Sequence, residues 1–242
     1  MLGIIGGTGL YQLEGVETVA QQVDTDYGLP STVLHRLDQR AVFLARHGVD
    51  HSIPPHRINY RANIQALYDA GVTQILSVNA VGGCSPAFAP GELFMPVQLI
   101  DYTYGREHSF HDTLSGFSDH IDFTEPFSAI LQQQLQTIAD HCSVALRREG
   151  TYACTQGPRF ETAAEVRRLQ RDGCDMVGMT VMPEAALAAE RGMGYASLSV
   201  VVNYAAGVQP EMPSMPEIEQ TMNTAMLRVR KLVAALLESQ AG

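Results

Sequence analysis

The chain has 242 residues, 45% of them hydrophobic, and a formal net charge of −10. That length and apolar content suit one domain over residues 1–242 with a single core. The acidic balance, with no run of Lys or Arg, excludes a general grip on nucleic acid, which needs a basic face.

The chain opens on Leu2-Gly3-Ile4-Ile5, then Gly6-Gly7-Thr8-Gly9, which predicts a buried strand entering a tight loop. Glycines let backbone N–H groups approach an anion and Thr8 adds a hydroxyl donor, so the loop is a phosphate cradle or a plain turn. It is not a dinucleotide fingerprint, because that pattern requires glycine where Gln12 stands. A second strand, AVFLA at Ala41–Ala45, ends at Arg46-His47-Gly48. An arginine there either grips a phosphate bidentately or is an ordinary surface residue. Helical spacing over residues 59–70 places Ala62, Leu67 and Ala70 on one face with Ile64 beside them, and Gly71 ends the helix. Residues 74–78 predict a strand running into Asn79-Ala80-Val81-Gly82-Gly83.

Further strands are predicted at 93–100, 150–154, 176–177 and 195–202, and helices at 128–141, 162–172, 183–191 and 216–239. Strands alternating with helices give an α/β class, with a central mixed sheet flanked by helices. Loops with glycine or polar tips follow four strands, at 6–9, 46–48, 79–83 and 203–207. Ligands of open α/β sheets sit beyond the carboxyl ends of strands, so these four loops are expected to converge on one pocket. Residues 208–216 (VQPEMPSMP) read as a binding loop.

In Gln156-Gly157-Pro158-Arg159-Phe160-Glu161-Thr162, Phe160 either stacks on a base or packs in the core. Glu161 either accepts from a ring N–H or caps the helix that follows, and the residues alone favour the cap. Cys84, Cys142, Cys154 and Cys174 form no C-x-x-C pair, so they read as reduced thiols of a cytoplasmic protein, most of them buried. No signal peptide is readable, and nowhere do about 18 apolar residues run together to span a membrane.

Taken in order, GGTGL, RHG, NYRAN, NAVGG, PGEL, QGPRFET and VGMTVMPE make the chain resemble the homotrimeric purine nucleoside and methylthioadenosine phosphorylases over nearly its whole length. The resemblance implies phosphorolysis of a nucleoside in a salvage role, with inorganic phosphate as co-substrate and no metal or organic cofactor. It implies a phosphate site of Thr8, Arg46, His47, Ala80 and Thr180 with Asn79 beside it, and Met179 against the sugar. It further implies that Phe160 flanks the purine, while Glu161 and Asn203, with Tyr204 and Ala205 following, address the purine edge. His120 resembles a residue lent to the sugar pocket of a neighbouring subunit.

Residue chemistry narrows the base. A 6-oxopurine offers an acceptor at O6 and a donor at N1–H; a 6-aminopurine offers the reverse. Asn203 carries both a donor and an acceptor, and a Glu161 carboxylate only accepts, so the pair suits a 6-oxopurine. Methylthioadenosine members of the family usually carry Asp at the position of Asn203 and lack the acid at Glu161, which points the same way. At the sugar end, family members that accept inosine typically use a histidine on the last helix, and here none follows His141. Val208, Met212, Met215, Pro216, Ile218 and Met222 occupy that region, as an apolar pocket for a 5′-methylthio group or as ordinary core filler. The expected substrate is 5′-methylthioinosine. The rivals are methylthioadenosine or inosine phosphorolysis, a hydrolase of the same fold, a nicotinamide-binding oxidoreductase and a non-catalytic nucleoside-binding protein.

Overall fold

The computed structural model describes residues 1–6, 18–37, 40–113, 116, 120–209, 211 and 213–239. Thr8, Gln12 and the rest of the first glycine loop beyond Gly6, together with Met212, lie outside the described residues. The first half holds β1 (Leu2–Gly6), β2 (Thr18–Gln21), β3 (Leu34–Leu37), β4 (Ala41–Ala45), α1 (Tyr60–Asp69) and β5 (Gln74–Gly83). The middle holds β6 (Leu93–Met95), β7 (Gln98–Asp101), α2 (Ala129–His141), β8 (Arg147–Arg148) and β9 (Thr151–Cys154). Then come α3 (Ala163–Arg171), β10 (Met176–Gly178), α4 (Val181–Glu190), β11 (Gly194–Tyr204) and α5 (Met215–Ser239). All strands belong to one mixed sheet, as the alternating pattern predicts.

Each face of that sheet is covered by helices, which is why its central strands are apolar on both sides. Leu76, Val78, Leu198 and Val200 face a cluster completed by Leu131 and Leu135 of α2 and by Val229, Leu232 and Leu236 of α5. Ile5, Leu44, Ile75 and Val201 face the other cluster, completed by Ile64 and Leu67 of α1 and by Ala185 and Leu187 of α4. A small third cluster packs Val166 and Leu169 of α3 against Cys84, Ala153 and Val177.

The strand that organises the site is β5. Along one edge β11 runs parallel to it over its whole length. On the other edge β1 pairs only with Gln74 to Ser77, and β10 arrives antiparallel only at Gly82 and Gly83. No described strand pairs with that edge at 78–81, so the sheet forks there. Ala80 lies in the fork and is exposed although its strand neighbours are buried. The parallel strands β1, β4, β5 and β11 all end on this side, as the loop argument expects.

Several predicted boundaries move. Residues 79–83 and 203–204 are not loops: β5 and β11 continue through them, because each supplies the other's ladder hydrogen bonds. The register slips between Val201 and Asn203, a β-bulge two residues before the strand ends. The predicted strand 93–100 divides at Pro96, which has no N–H to donate, into β6 on β11 and β7 on β9. The short strands β2, β3 and β8 lack a readable apolar run and escape the sequence pattern.

Candidate active site

Arg46 follows directly on β4, whose five residues are all buried, and its own exposure is 1%. The surface-arginine reading is therefore wrong: an apolar strand leading into the fork carries the guanidinium inside. Glu184, from the first turn of α4, is wholly buried and meets it in a two-point ion pair. Arg46 Nε donates to Glu184 Oε2 at 3.0 Å and Nη2 to Oε1 at 2.8 Å. Nη1 donates to the Val78 carbonyl at 2.9 Å, on the open edge of β5. Glu184 Oε1 also accepts from Ser77 Oγ at 2.9 Å and Tyr195 OH at 2.8 Å. Burial alone would lower the Arg46 pKa; the charge and hydrogen bonds of Glu184 outweigh it and raise it.

The network continues along the strand tips. Asn79 Nδ2 donates to Ser77 Oγ at 3.1 Å and to Ser197 Oγ of β11 at 2.9 Å. Thr180 Oγ1 donates to Asn79 Oδ1 at 2.8 Å. Thus Arg46, Asn79, Ala80 and Thr180 are brought together at the fork. His47 joins them by sequence adjacency, and its Nδ1 donates to the Ile53 carbonyl at 2.8 Å. Burial, and then the Arg46 charge, push the His47 pKa down to about 4, so the ring is neutral at pH 7. The His51 ring lies 4.4 Å away and is shifted down by the same two causes.

The loop between β9 and α3 forms a second wall. Phe160 is 53% exposed, which removes the core-packing alternative. Glu161 does not cap α3 either: Thr162 does, in a capping box with Glu165, because only the residue at the cap reaches the free N–H of the third helical position. The Glu161 carboxylate instead accepts from Thr155 Oγ1 at 2.6 Å. Gly157 lets the loop approach Met179, since an added Cβ would fall 2.5 Å from the Met179 sulfur. Gly207 similarly admits the start of α3, since its Cβ would fall 2.7 Å from that of Ala163. The segment after β11 therefore abuts the segment that carries Glu161. Asn203 is buried, with Nδ2 donating to the Tyr204 carbonyl at 2.7 Å; Tyr204 is half-buried and Ala205 buried.

His120 is exposed. The apolar set after β11 is not gathered into one pocket: Val208 packs against the cluster around Cys84, and Ile218 and Met222 pack against the core under α5. Met215 is 64% exposed. Ile218 and Met222 thus lie on the face that α5 turns toward the sheet, while Met215 does not. A cavity of about 360 Å³ lined by Tyr27, His56, Arg57, Tyr60, Arg61 and Arg106 contains none of the predicted residues. Among the described residues no group of three or more His, Cys, Asp or Glu side chains is placed to hold a metal ion.

Sequence reasoning named neither Glu184 nor Ser77, Ser197 and Tyr195. Their signal was present: an acid inside the apolar run VMPEAALAA, and hydroxyls inside the strands QILSV and YASLS. A charge in such a run must find a partner.

The model of the phosphorylase superfamily matches residues 1–238. The chain belongs to the phosphorylase superfamily. A probable S-methyl-5′-thioinosine phosphorylase of Pseudomonas syringae pv. tomato is 49% identical over 98% of this chain and 98% of its own length. The 6-oxopurine nucleoside phosphorylase of Pyrococcus furiosus is 42% identical over 98% of this chain and 91% of its own. Among solved structures, methylthioadenosine phosphorylase from Schistosoma mansoni in complex with adenine superposes with a TM-score of 0.91 at 32% identity. It covers 98% of this chain and 90% of that one. Within this superfamily fold, the β9–α3 loop meets the segment after β10 where Gly157 approaches Met179.

Two stability measurements check the geometry. Glu184→Gln leaves the buried guanidinium without its counter-charge and is expected to cost about 3–5 kcal/mol in chemical denaturation. A loss below 1 kcal/mol would mean that the pair is solvated. His47 is held below the free-imidazole value of 6.5 in the folded chain, so the unfolded chain takes up the proton first. Stability from this group is complete above about pH 6.5 and is lost as the pH falls toward about 4. His47→Gln should flatten the fall in Tm across that window relative to the parent; parallel curves would contradict the assignment.

Proposed function

We propose that the chain is a nucleoside phosphorylase that splits 5′-methylthioinosine with phosphate, giving hypoxanthine and 5-methylthioribose 1-phosphate. The observation that carries the base assignment is the Thr155 hydroxyl donating to Glu161. It occupies Oε1 and leaves Oε2 to take N1–H of a 6-oxopurine. Asn203 spends one amide hydrogen on the Tyr204 carbonyl. It keeps the second for O6, and Oδ1 for the proton that develops at N7. Against adenine both groups would face like partners, at roughly 1–3 kcal/mol for each unpaired buried group. The similarity to a probable S-methyl-5′-thioinosine phosphorylase and to a 6-oxopurine nucleoside phosphorylase supports the same base. The 5′-methylthio preference rests on the relatives and on the absence of a histidine after His141.

In the reaction, the C1′–N9 bond stretches first and the sugar becomes oxocarbenium-like. Phosphate sits on the opposite face, held by Thr8, Arg46, His47, Ala80 and Thr180 with Asn79 behind them, and its negative charge stabilises the cation. Met179 lies against the sugar and Phe160 over the purine, with Tyr204 and Ala205 closing the base end. Negative charge spreading into the departing purine is met at O6 by the remaining Asn203 amide N–H, and once N7 takes a proton from solvent, Oδ1 accepts from it. Hydrogen bonds that strengthen only as that charge appears raise the rate as well as the affinity. The chemistry asks for positioning and charge stabilisation, so phosphate is a co-substrate and no cofactor enters the scheme. Residues 1–242 act as one domain, in a homotrimer in which His120 serves a neighbouring copy's sugar pocket.

Methylthioinosine, methylthioadenosine and inosine should be compared by kcat/KM with and without phosphate. The expected order places methylthioinosine first, with no turnover lacking phosphate. A lead for methylthioadenosine would overturn the base assignment, a lead for inosine the sugar assignment, and phosphate-independent turnover would indicate a hydrolase. Asn203→Asp is expected to lower kcat/KM for the 6-oxopurine nucleoside about 10–100-fold. Unchanged rates on both purine classes would remove Asn203 from base reading.

A further inference from the structure

Arg106 lies in the long connection between β7 and α2, outside every motif that the sequence brings forward. Its guanidinium is half-buried, and its acceptors come from both walls of the site. From the β9–α3 wall it takes Gln156 Oε1 at 3.0 Å through Nε, and the Gln156 and Thr155 carbonyls at 2.8 and 3.3 Å through Nη2. From Met179, just after β10, and from Met182, in the first turn of α4, it takes the main-chain carbonyls at 2.9 and 2.5 Å through Nη1. Nη1 also reaches Tyr60 OH of α1 at 3.1 Å, and the guanidinium lies 5.3 Å from the centre of the Tyr60 ring. The Tyr60 hydroxyl donates in turn to the Pro55 carbonyl at 3.0 Å.

These acceptors are all neutral. An arginine that only anchored a surface loop would be expected to meet a carboxylate; this one instead collects four main-chain carbonyls from two segments. The rigid planar fork fixes those carbonyls relative to one another, and no other side chain has both the reach and the donor count. The segment that it grips at 155–156 leads to Phe160 and Glu161, and the one at 179–182 carries Met179 and Thr180. Because the peptide is planar and trans, fixing the Met179 carbonyl also fixes the Thr180 N–H pointing the opposite way.

We infer that Arg106 is a positioning residue that locks the base-reading loop to the sugar- and phosphate-holding segment, so that the two walls keep one spacing. The inference deepens the phosphorylase reading and rests on it for its kinetic consequence, while the clamp itself is a matter of structure. A wall displaced by about 1 Å misaligns base against phosphate and costs on the order of 100-fold in rate.

The test uses the full chain with Arg106→Ala and Arg106→Lys, read in two ways. Hydrogen exchange is expected to speed up at 155–162 and at 179–184 together in both variants, with the amides of β1 and β4 unchanged. Phosphorolysis of methylthioinosine is expected to lose about 100-fold in kcat for Arg106→Ala, and less for Arg106→Lys. Millimolar guanidinium or methylguanidinium should restore at least about tenfold of the alanine variant's kcat, a rescue that general loosening would not give. Exchange that speeds up in only one segment or in neither, or a kcat that stays unchanged or that guanidinium does not restore, would overturn the inference. If the parent enzyme splits no nucleoside, the phosphorylase reading falls, and the exchange data still decide whether Arg106 ties the two walls. If Arg106→Ala does not fold, Arg106→Lys carries both readouts.

Discussion

Arg46 and Glu184 sit face to face, both buried and 2.8 Å apart, and the fork of the sheet is built around that contact. Removing two ions from water costs several kcal/mol each, which their attraction offsets only if every remaining lone pair and N–H is matched. Here Ser77, Tyr195 and the Val78 carbonyl match them. Three chain segments, the end of β4, the open edge of β5 and the first turn of α4, are therefore held at one spacing by polar contacts, where apolar packing would leave the spacing soft. The same hydroxyls pass the constraint to Asn79 and Thr180.

The site is thus a defect in the sheet that the fold maintains deliberately. A strand continuing β1 would close the edge of β5 and bury Ala80. Among the described residues β1 pairs with β5 as far as Ser77 and β10 pairs only at Gly82 and Gly83, so the stretch between them has no strand partner on that edge. The β9–α3 loop is made differently: it stands on the capping box of α3, and Arg106 hydrogen-bonds both it and the segment after β10. One wall is stiff because it is sheet; the other depends on side-chain hydrogen bonds for its place.

Much of this is legible in the sequence. Apolar runs fixed β1, β4, β5 and β11, and spacing with glycine stops fixed α1, because periodicity and turn chemistry are local properties of the chain. What local reading missed has a common cause. Residues 79–83 and 203–204 look like loops from their glycines and asparagine, and only pairing with each other makes them strand. Glu161 looks like a helix cap until Thr162 is seen to hold that position. Arg106 is one polar residue in a polar stretch, and nothing nearby in sequence announces acceptors located some 50 and 70 residues further along the chain. The apolar residues after β11 leave pocket and core filler open in the sequence, since hydrophobic type alone does not say which surface a side chain covers.

The bulge near the end of β11 has a consequence for how such a site can change over time. Along a regular strand, parity ties each tip residue to the burial pattern beneath it, so that Asn203 would inherit its side of the sheet from Val201. Slipping one residue between them breaks that inheritance. The valines below keep their alternation against the two helical layers, while the tip answers only to its own neighbours. Substitutions that retune what the tip recognises can then accumulate without rewriting the interior, which leaves a family free to diversify its ligands on one inherited scaffold.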